Sequence, residues 1–380
     1  MKKVNLFYKK GDDKITHIDY GMLISVIMLL CVGLLMVSTA SSYYALTNSN
    51  YSDSNYFFVR QLFFAVLGIV FMLFFANVNY KNLKKASGLF YIICLALLFA
   101  VAIPGVGSVR NGARRWLEIG GISFQPSEIM KFALILITST YIANNYKKMN
   151  GIKSYIVPIL YLIAVMVGMF LQNHMSGMLV MIVASFSIIF VSGIKINWKY
   201  LIIFVIIGIV AVTTFIMSSD FRKQRIVAYL HPEEDVTGDN WQVAQSLYAI
   251  GSGGIFGRGL GQSRQKYLWL PEAQTDFIFS VLGEEFGIFG SVLVLLMFAF
   301  MIYRGFMIAV KCNDAFGSMI VTGIMSVLTF QICVNIAVVT HLMPVTGMPL
   351  PFFSYGGTAL FINLCAIGII LSVSRNCKRS

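Results

Sequence analysis

The stretch Leu270-Pro-Glu-Ala-Gln-Thr-Asp-Phe-Ile-Phe-Ser-Val-Leu-Gly-Glu-Glu285 joins a long polar, glycine-rich segment to a strongly apolar one. Pro271 ends the preceding loop, Thr275 can cap a new helix, and Asp276 then falls in the first turn of that helix. The helix runs on through Phe300 and is apolar enough to span a membrane. Asp276 is therefore predicted to lie where water meets lipid, and a carboxylate is costly there unless it has a function. We interpret it as a catalytic base.

The composition extends this interpretation to the whole chain. Of its 380 residues, 58% are hydrophobic and 12% are charged, whereas a soluble domain carries about 25% charged residues. Apolar runs of membrane length recur, and the alternating pattern of a membrane β-barrel does not appear. The prediction is an all-α, polytopic integral membrane protein, one membrane domain over residues 1–380. We place about ten spans near residues 20–40, 59–76, 88–104, 127–144, 155–171, 177–193, 200–217, 276–303, 315–340 and 353–373.

The distribution of charge predicts the topology. The net charge is +13, and most of the 29 lysines and arginines fall in tails and short loops that are cytoplasmic if both termini are inside. This is the positive-inside pattern, so binding to nucleic acid is not needed to explain the charge. The remaining segments are then cytoplasmic tails at 1–19 and 374–380, and two long outer loops at 105–126 and 218–275, the larger one between spans 7 and 8. Neither outer loop contains cysteine, so no disulfide framework is predicted.

The first long outer loop is rich in arginine. Its candidate ligand-binding residues are Arg110, Asn111, Arg114, Arg115 and Trp116. Three guanidinium groups beside an amide suit a phosphate-bearing ligand, because the planar fork binds phosphate oxygens bidentately. The tryptophan offers either a flat face for a sugar or an anchor in the headgroup region.

The fourth span opens with two ionisable residues. Glu128 and Lys131 are three residues apart, so they can pair on one helix face. A purely structural ion pair is one interpretation. We favour a function in ligand binding, because ionisable groups inside spans tend to line sites.

The second long outer loop contains a short helical pattern followed by many glycines. Residues Trp241–Ile250 are predicted to form an amphipathic helix. The glycines between Gly251 and Gly261 do not form a Walker loop, and no strand precedes them. They form either a nest of backbone N–H groups for an anion or a pliable re-entrant loop. The candidate ligand-binding residues here are Arg258, Arg264 and Lys266.

Two further polar features follow the opening stretch. Glu284 and Glu285 lie about 12 Å deeper than Asp276 at about 1.5 Å per residue, and we expect buried structural pairs with Lys131 or Arg60. The last outer segment, Pro344-Val-Thr-Gly-Met-Pro-Leu-Pro-Phe-Phe-Ser-Tyr-Gly-Gly-Thr358, is typical of broken backbone lining a cavity. It contributes the candidates Ser354 and Tyr355.

Four of these segments together resemble the SEDS family of cell-wall polymerases, whose members include FtsW, RodA and SpoVE. The matching segments are Asn111-Gly-Ala-Arg-Arg-Trp116, Gln125-Pro-Ser-Glu128 with Lys131, Leu270 to Phe279 with Gly283-Glu-Glu285, and Pro344 to Gly357. They occur in the family's order within a ten-span layout that covers nearly the whole chain. The run Gly261-Gln-Ser-Arg-Gln-Lys266 looks more like FtsW or SpoVE than RodA.

The resemblance implies a peptidoglycan glycosyltransferase in the bacterial cytoplasmic membrane. Its substrate would be lipid II, and its partners a class B penicillin-binding protein and other membrane proteins of division or elongation. The family's essential acidic residue falls on Asp276. Two positions depart from the family pattern: Gln274 stands where histidine is frequent, and Asn173-His-Met-Ser176 replaces Pro-Asp-(Leu/Phe)-Gly.

The expected reaction is attack by a GlcNAc 4-hydroxyl on the anomeric carbon of a lipid-pyrophosphate-linked MurNAc, with inversion. A carboxylate acts as general base, and arginines stabilise the departing pyrophosphate. Whether a divalent cation, Mg or Mn, assists them is left open by the sequence. Two rival functions are a lipid II flippase and a non-catalytic scaffold for the transpeptidase. The flippase is disfavoured because we find no inverted repeat.

Overall fold

The protein is a bundle of long apolar helices with a small sheet at one end. The computed structural model describes residues 18–48, 53–110, 113–120, 122–146, 149, 152–193, 229 and 240–375. The helices are α1 (Tyr20–Thr47), α2 (Tyr56–Asn77), α3 (Lys81–Ala102), α4 (Pro126–Asn145), α5 (Ile156–Leu171), α6 (Met175–Val191), α7 (Trp241–Gly253), α8 (Ile278–Lys311), α9 (Ala315–Val339) and α10 (Gly357–Ser374), with a 3₁₀ turn at Ile152–Tyr155.

These helices confirm the membrane class. Six of them (α1, α2, α3, α8, α9 and α10) are long and apolar enough to cross a membrane, and α5 and α6 are shorter apolar helices. The predicted spans within the described residues coincide with helices, and the predicted amphipathic helix coincides with α7. The predicted seventh span, 200–217, lies outside the described residues.

Glycines allow the closest helix contacts of the bundle. The α2 and α10 helices pack side by side. A Cβ at Gly68 would lie 2.5 Å from the Leu364 side chain, and one at Gly368 would lie 2.4 Å from the Met72 carbonyl. Helices in lipid associate by close packing of this kind, because lipid tails are as apolar as the side chains themselves.

One end of the bundle is basic. Asp19 caps α1 at the Met22 N–H and also pairs with Arg304 near the end of α8. The Tyr80 hydroxyl, just before α3, donates to Asp314, which caps α9. The described basic residues of this end are Lys81, Lys84, Lys85, Arg304, Lys311 and Arg375. We call it the basic end, and we call the opposite end, where α8 begins, the Asp276 end.

The segment predicted as an irregular outer loop, 105–126, contains a three-stranded antiparallel sheet at the Asp276 end. Its strands are β1 (Ser108–Arg110), β2 (Ala113–Ile119) and β3 (Ile122–Phe124), in that spatial order. Ala113, Arg115 and Leu117 share one face of β2 because side chains alternate along a strand. Ala113 and Leu117 are buried, so this face of β2 packs against the protein. Arg115 lies on the same face.

Helix α8 is broken at Gly287, and the glycine-rich loop supplies hydrogen-bond partners for the backbone groups at the break. Gly287 has φ +66°, which interrupts the helical hydrogen bonds. The loop replaces them: Arg258 and Gly259 donate N–H groups to the Glu284 and Glu285 carbonyls, both at 3.0 Å. Further along α8, the N–H groups of Ile288 and Phe289 donate to the Gly254 and Ile255 carbonyls. Such broken helices are tolerated at membrane depth only when other groups satisfy the backbone.

Gly287→Ala is expected to destabilise the protein by at least about 2 kcal/mol, from positive-φ strain and steric overlap together. The new Cβ would lie 2.4 Å from the Gly257 nitrogen. Thermal unfolding in detergent measures the loss. Gly88→Ala in α3 is the matched control: a Cβ there meets nothing within 4 Å, so alanine should stabilise by about 0.5–1 kcal/mol. Equal effects of the two substitutions would contradict the expectation.

Candidate functional site

Asp276 lies in a turn just ahead of α8 and not in its first helical turn. The helix begins at Ile278, and the Thr275 hydroxyl donates to the backbone and side chain of Glu272. The prediction that Thr275 caps this helix is therefore wrong. Glu272 has φ +54°, and this closes a tight turn whose carbonyl accepts the N–H groups of Thr275 and Phe277. The turn places Asp276 half-buried at the mouth of the bundle.

The peptide chain leading to Asp276 is fixed by donors from the last loop and from α9. Three successive carbonyls each accept one hydrogen bond. The pairs are Tyr355 N to Gln274 O at 2.9 Å, Ser354 Oγ to Thr275 O, and Asn335 Nδ2 to Asp276 O at 2.8 Å. Sequence reasoning missed Asn335; the available signal was an amide inside an otherwise apolar span, where polar side chains commonly bond between helices.

The last loop is in turn held by α2. The buried side chain of Gln61 donates to the Ser354 carbonyl and accepts the Gly356 N–H, both at 3.1 Å. The Ser354 hydroxyl also accepts the Leu350 N–H at 2.7 Å. The predicted site residue Ser354 is thus engaged in shaping the loop. The predicted site residue Tyr355 packs its ring edge-to-face against Phe57, with the ring centroids 4.8 Å apart.

The predicted pairing of Glu128 and Lys131 on one face of α4 is confirmed. The Lys131 ammonium lies 2.8 Å from the Glu128 carboxylate and 3.4 Å from the Gln331 side-chain oxygen. The Lys131 side chain is only 2% exposed, and that of Glu128 is 13% exposed. Glu128 and Gln331 line a cleft together with Ser354, Gly356 and Asn363. Because Ser354 also bonds the peptide next to Asp276, the structure brings the ion pair and the acidic turn to the same region.

The arginine-bearing sheet lies at the same end of the bundle, but its arginines differ in their surroundings. Arg114 and Trp116 are half-buried on β2. The Arg115 guanidinium donates to the carbonyls of Gln172 and Asn173, so it ties the sheet to the hairpin between α5 and α6. The predicted site residue Asn111 and the side chain of Arg110 lie outside the described part of the structure.

His174 of this hairpin is buried beneath Arg115. Burial and the neighbouring Arg115 charge lower the pKa of His174 to about 3. Its Nδ1 finds no hydrogen-bond partner within the described residues. The imidazole is therefore neutral in the folded protein at neutral pH.

The stability of the protein should fall as the pH drops below the ordinary histidine pKa of about 6.5. In that range His174 is protonated in the unfolded chain but stays neutral in the folded protein. The free energy of unfolding therefore falls by about 1.4 kcal/mol per pH unit until the pH reaches the folded pKa. Above pH 6.5 this residue contributes no pH dependence. Thermal unfolding of wild type and His174→Gln between about pH 7 and pH 5 measures the difference. Parallel pH profiles for the two proteins would refute the effect.

Glu284 occupies the nest that the glycine-rich loop forms. Its carboxylate accepts the Ser263 hydroxyl at 2.6 Å and the N–H groups of Arg264 and Gln265 at 3.0 and 3.2 Å. The Arg258 guanidinium lies 3.7 Å away. The loop is therefore an anion nest, as one interpretation of the sequence predicted, but the anion that it holds belongs to the protein itself.

Glu285 forms a buried ion pair with Lys266. The two side chains are 3.2 Å apart and 0% and 4% exposed, and the Lys266 ammonium also donates to the Gly261 carbonyl at 2.6 Å. The structural interpretation of the two glutamates is confirmed, but the expected partners, Lys131 and Arg60, were wrong. The break in α8 brings the loop over both glutamates, and no regular helix would have done so.

Four described residues of the predicted site thus have side chains that hold loops together: Arg115, Arg258, Lys266 and Ser354. The guanidinium of Arg264 is exposed. No group of three His, Cys, Asp or Glu side chains that could hold a metal ion occurs among the residues that the structure describes.

Comparisons with known proteins show what the chain is similar to. Residues 20–379 match the model of the FTSW_RODA_SPOVE family, described as "Cell cycle protein". The chain is 42% identical over 366 residues to Stage V sporulation protein E of Bacillus subtilis, covering 95% of this chain and 98% of that protein. It is 36% identical over 376 residues to the probable peptidoglycan glycosyltransferase FtsW of Geobacter metallireducens, covering 99% of each.

Solved structures share the fold. The rod shape determining protein RodA of Thermus thermophilus superposes with a TM-score of 0.70 at 27% identity, covering 96% of this chain and 98% of that one. A chain from a structure described as "Structural coordination of polymerization and crosslinking by a peptidoglycan synthase complex" superposes with a TM-score of 0.76 at 27% identity. The match covers 94% of this chain and 98% of that one.

Proposed function

The chain belongs to the FtsW/RodA/SpoVE family, and on that premise we propose that it polymerises lipid II into glycan strands, with Asp276 as the general base. It is a peptidoglycan glycosyltransferase and a multi-pass protein of the cytoplasmic membrane, in accord with its FtsW relatives and with the six membrane-length helices among the described residues. The observation that carries the proposal is the position of Asp276. Its peptide is held rigidly beside a cleft that contains a second, paired carboxylate.

The orientation in the membrane follows from the charge of the two ends. We assign the basic end to the cytoplasm because lysines and arginines of short loops are retained there. The Asp276 end then faces outward, where lipid II is consumed. The sheet in the 105–126 loop and the glycine-rich loop lie at this end of the bundle.

The reaction requires a group that removes the proton of the attacking GlcNAc 4-hydroxyl. A carboxylate within hydrogen-bond reach of that proton contributes typically about 10²–10⁴-fold. The attack on the anomeric carbon of MurNAc forms the new glycosidic bond, inverts that centre and releases the lipid pyrophosphate, whose growing charge needs cations nearby.

We assign the predicted substrate residues two roles. The larger group is proposed to contact the disaccharide or the pyrophosphate: Arg110, Asn111, Arg114, Trp116, Glu128, Lys131, Arg264 and Tyr355. The remaining four are proposed to hold the loops that shape the site: Arg115, Arg258, Lys266 and Ser354. Their hydrogen bonds and ion pairs within the protein support the second role.

The proposed partner is a class B penicillin-binding protein, which would cross-link the strands as they form. The likeness to a chain of a peptidoglycan synthase complex supports this pairing.

To test the function, fluorescent lipid II is added in detergent to the purified chain and its class B partner. Glycan polymer resolved by gel electrophoresis is the expected product, and muramidase should digest it. Liposomes that contain only this chain serve as a second assay. Translocation of fluorescent lipid II without polymer would reject the polymerase in favour of a flippase.

A further inference from the structure

Asn335 is a buried residue of α9; only 1% of its surface is exposed. Its Nδ2 group has two hydrogens, and both are used. One goes to the carbonyl of Asp276 and the other to the carbonyl of Met348, each at 2.8 Å. The amide therefore ties the acidic turn to the last loop at a single point.

The two carbonyls that Asn335 holds belong to the two walls around the Asp276 carboxylate. One wall is the peptide of Asp276 itself. The other is the loop at Gly347 and Met348, where a Cβ built on Gly347 would lie 3.6 Å from the Asp276 Oδ2 atom. Gly347 has φ +70°, so glycine suits the backbone conformation at this point.

Helix α9 is a rigid support for this contact. It is 25 residues long, and its flanks near Asn335 are buried, including Gln331, Val334 and Val338. Asn335 lies one helical turn beyond Gln331, the residue that contacts the Lys131 ammonium. One face of α9 thus contacts both the ion pair and the acidic turn, and it sets the distance between them.

We propose that Asn335 is a positioning residue for Asp276. It touches no reacting atom; it fixes the peptide plane that aims the carboxylate and the spacing between the acidic turn and the last loop. Its effect on the reaction follows from geometry, because a misplacement of about 1 Å can cost about 10²-fold in rate. The inference rests on the proposed function, since a carboxylate needs this precision only where it acts as a base.

The experiment compares Asn335→Asp, Asn335→Leu and Asn335→Ser with wild type in the lipid II polymerisation assay. The assay temperature is one at which size-exclusion chromatography and thermal unfolding show that each variant is folded. The maximal rate should fall by about 10- to 100-fold in the Asp and Leu variants, and less in the Ser variant, which keeps one donor. The lipid II concentration at half-maximal rate should change less than about threefold, because substrate binding is untouched.

A pH series separates positioning from a general loss of packing. An aspartic acid at this position can donate a hydrogen bond only when it is protonated. The rate of Asn335→Asp relative to wild type should therefore rise as the pH is lowered from about 8 to about 6, whereas the relative rate of Asn335→Leu should stay flat. The matched control is Asn145→Asp near the basic end, where the amide donates to the Tyr141 carbonyl of its own helix. It should retain the wild-type rate.

Each outcome decides the inference. Folded Asn335 variants that polymerise at the wild-type rate would overturn it, and so would variants whose only defect is a higher half-saturating concentration of lipid II. If wild type itself makes no polymer, the proposed function fails, and the positioning role fails with it. If wild type is active, Asp276→Asn is inactive and the Asn335 variants are fully active, the positioning role alone fails.

Discussion

Asp276→Asn is expected to lower the rate of glycan polymerisation by about 10²–10⁴-fold, the contribution typical of a general base. Asparagine has nearly the same shape as aspartate, and the hydrogen bonds that fix this turn use backbone carbonyls. The turn should therefore keep its geometry. The capacity to accept the proton of the sugar hydroxyl is lost.

The measurement is polymer formed from fluorescent lipid II by the chain with its class B partner. The matched control is Asp53→Asn, the same chemical change at an exposed position. It should leave the rate unchanged. Unfolding in detergent should show the same midpoint for both variants. If Asp276→Asn polymerises normally, the base lies elsewhere and the catalytic assignment must be abandoned.

Lys266→Met is expected to cost about 3–5 kcal/mol of stability, because it leaves the buried Glu285 carboxylate without a counter-charge. The side chain of Glu285 is 0% exposed, and Lys266 is its partner at 3.2 Å. Removing the ammonium also frees the Gly261 carbonyl. The glycine-rich loop should then detach from the break in α8 before the rest of the bundle unfolds.

The double variant Glu285→Gln with Lys266→Met separates charge from packing. It should recover most of the lost stability, because no unpaired charge remains. Arg304→Met at the basic end is a second control: Arg304 is 35% exposed and its partner Asp19 is 17% exposed, so the loss there should be only about 0–1 kcal/mol. Thermal unfolding and limited proteolysis of the loop at residues 253–266 follow the effect. A double variant no more stable than the single one would show that the ion pair is not what holds the loop.

Features that depend on a short stretch of chain were predicted well from sequence. Membrane-length apolar runs identified the helices, because transfer to lipid depends on local composition. The Glu128–Lys131 pair followed from its spacing on one helix. The small sheet was missed because its strands are short and lie in a polar loop rich in glycine and arginine.

Predictions that needed a partner distant in sequence failed more often. The partners of Glu284 and Glu285 were misassigned because an unbroken α8 was assumed, whereas the break at Gly287 exposes both residues to the preceding loop. Thr275 looked like a helix cap because its residue type suits one. Instead, the positive φ of Glu272 closes a turn in which the Thr275 hydroxyl donates to the Glu272 carboxylate.

The residues alone were enough to identify a helical membrane protein of the SEDS family and to single out Asp276 as the candidate catalytic carboxylate. Both depend on local properties: the apolarity of each run and the cost of a charge beside lipid. The hydrogen bonds that hold the turn around that carboxylate depend instead on packing between distant parts of the chain. Asn335 lies 59 residues from Asp276 along the chain. No sequence periodicity reveals their contact, because it forms only where α9 packs against the turn that precedes α8.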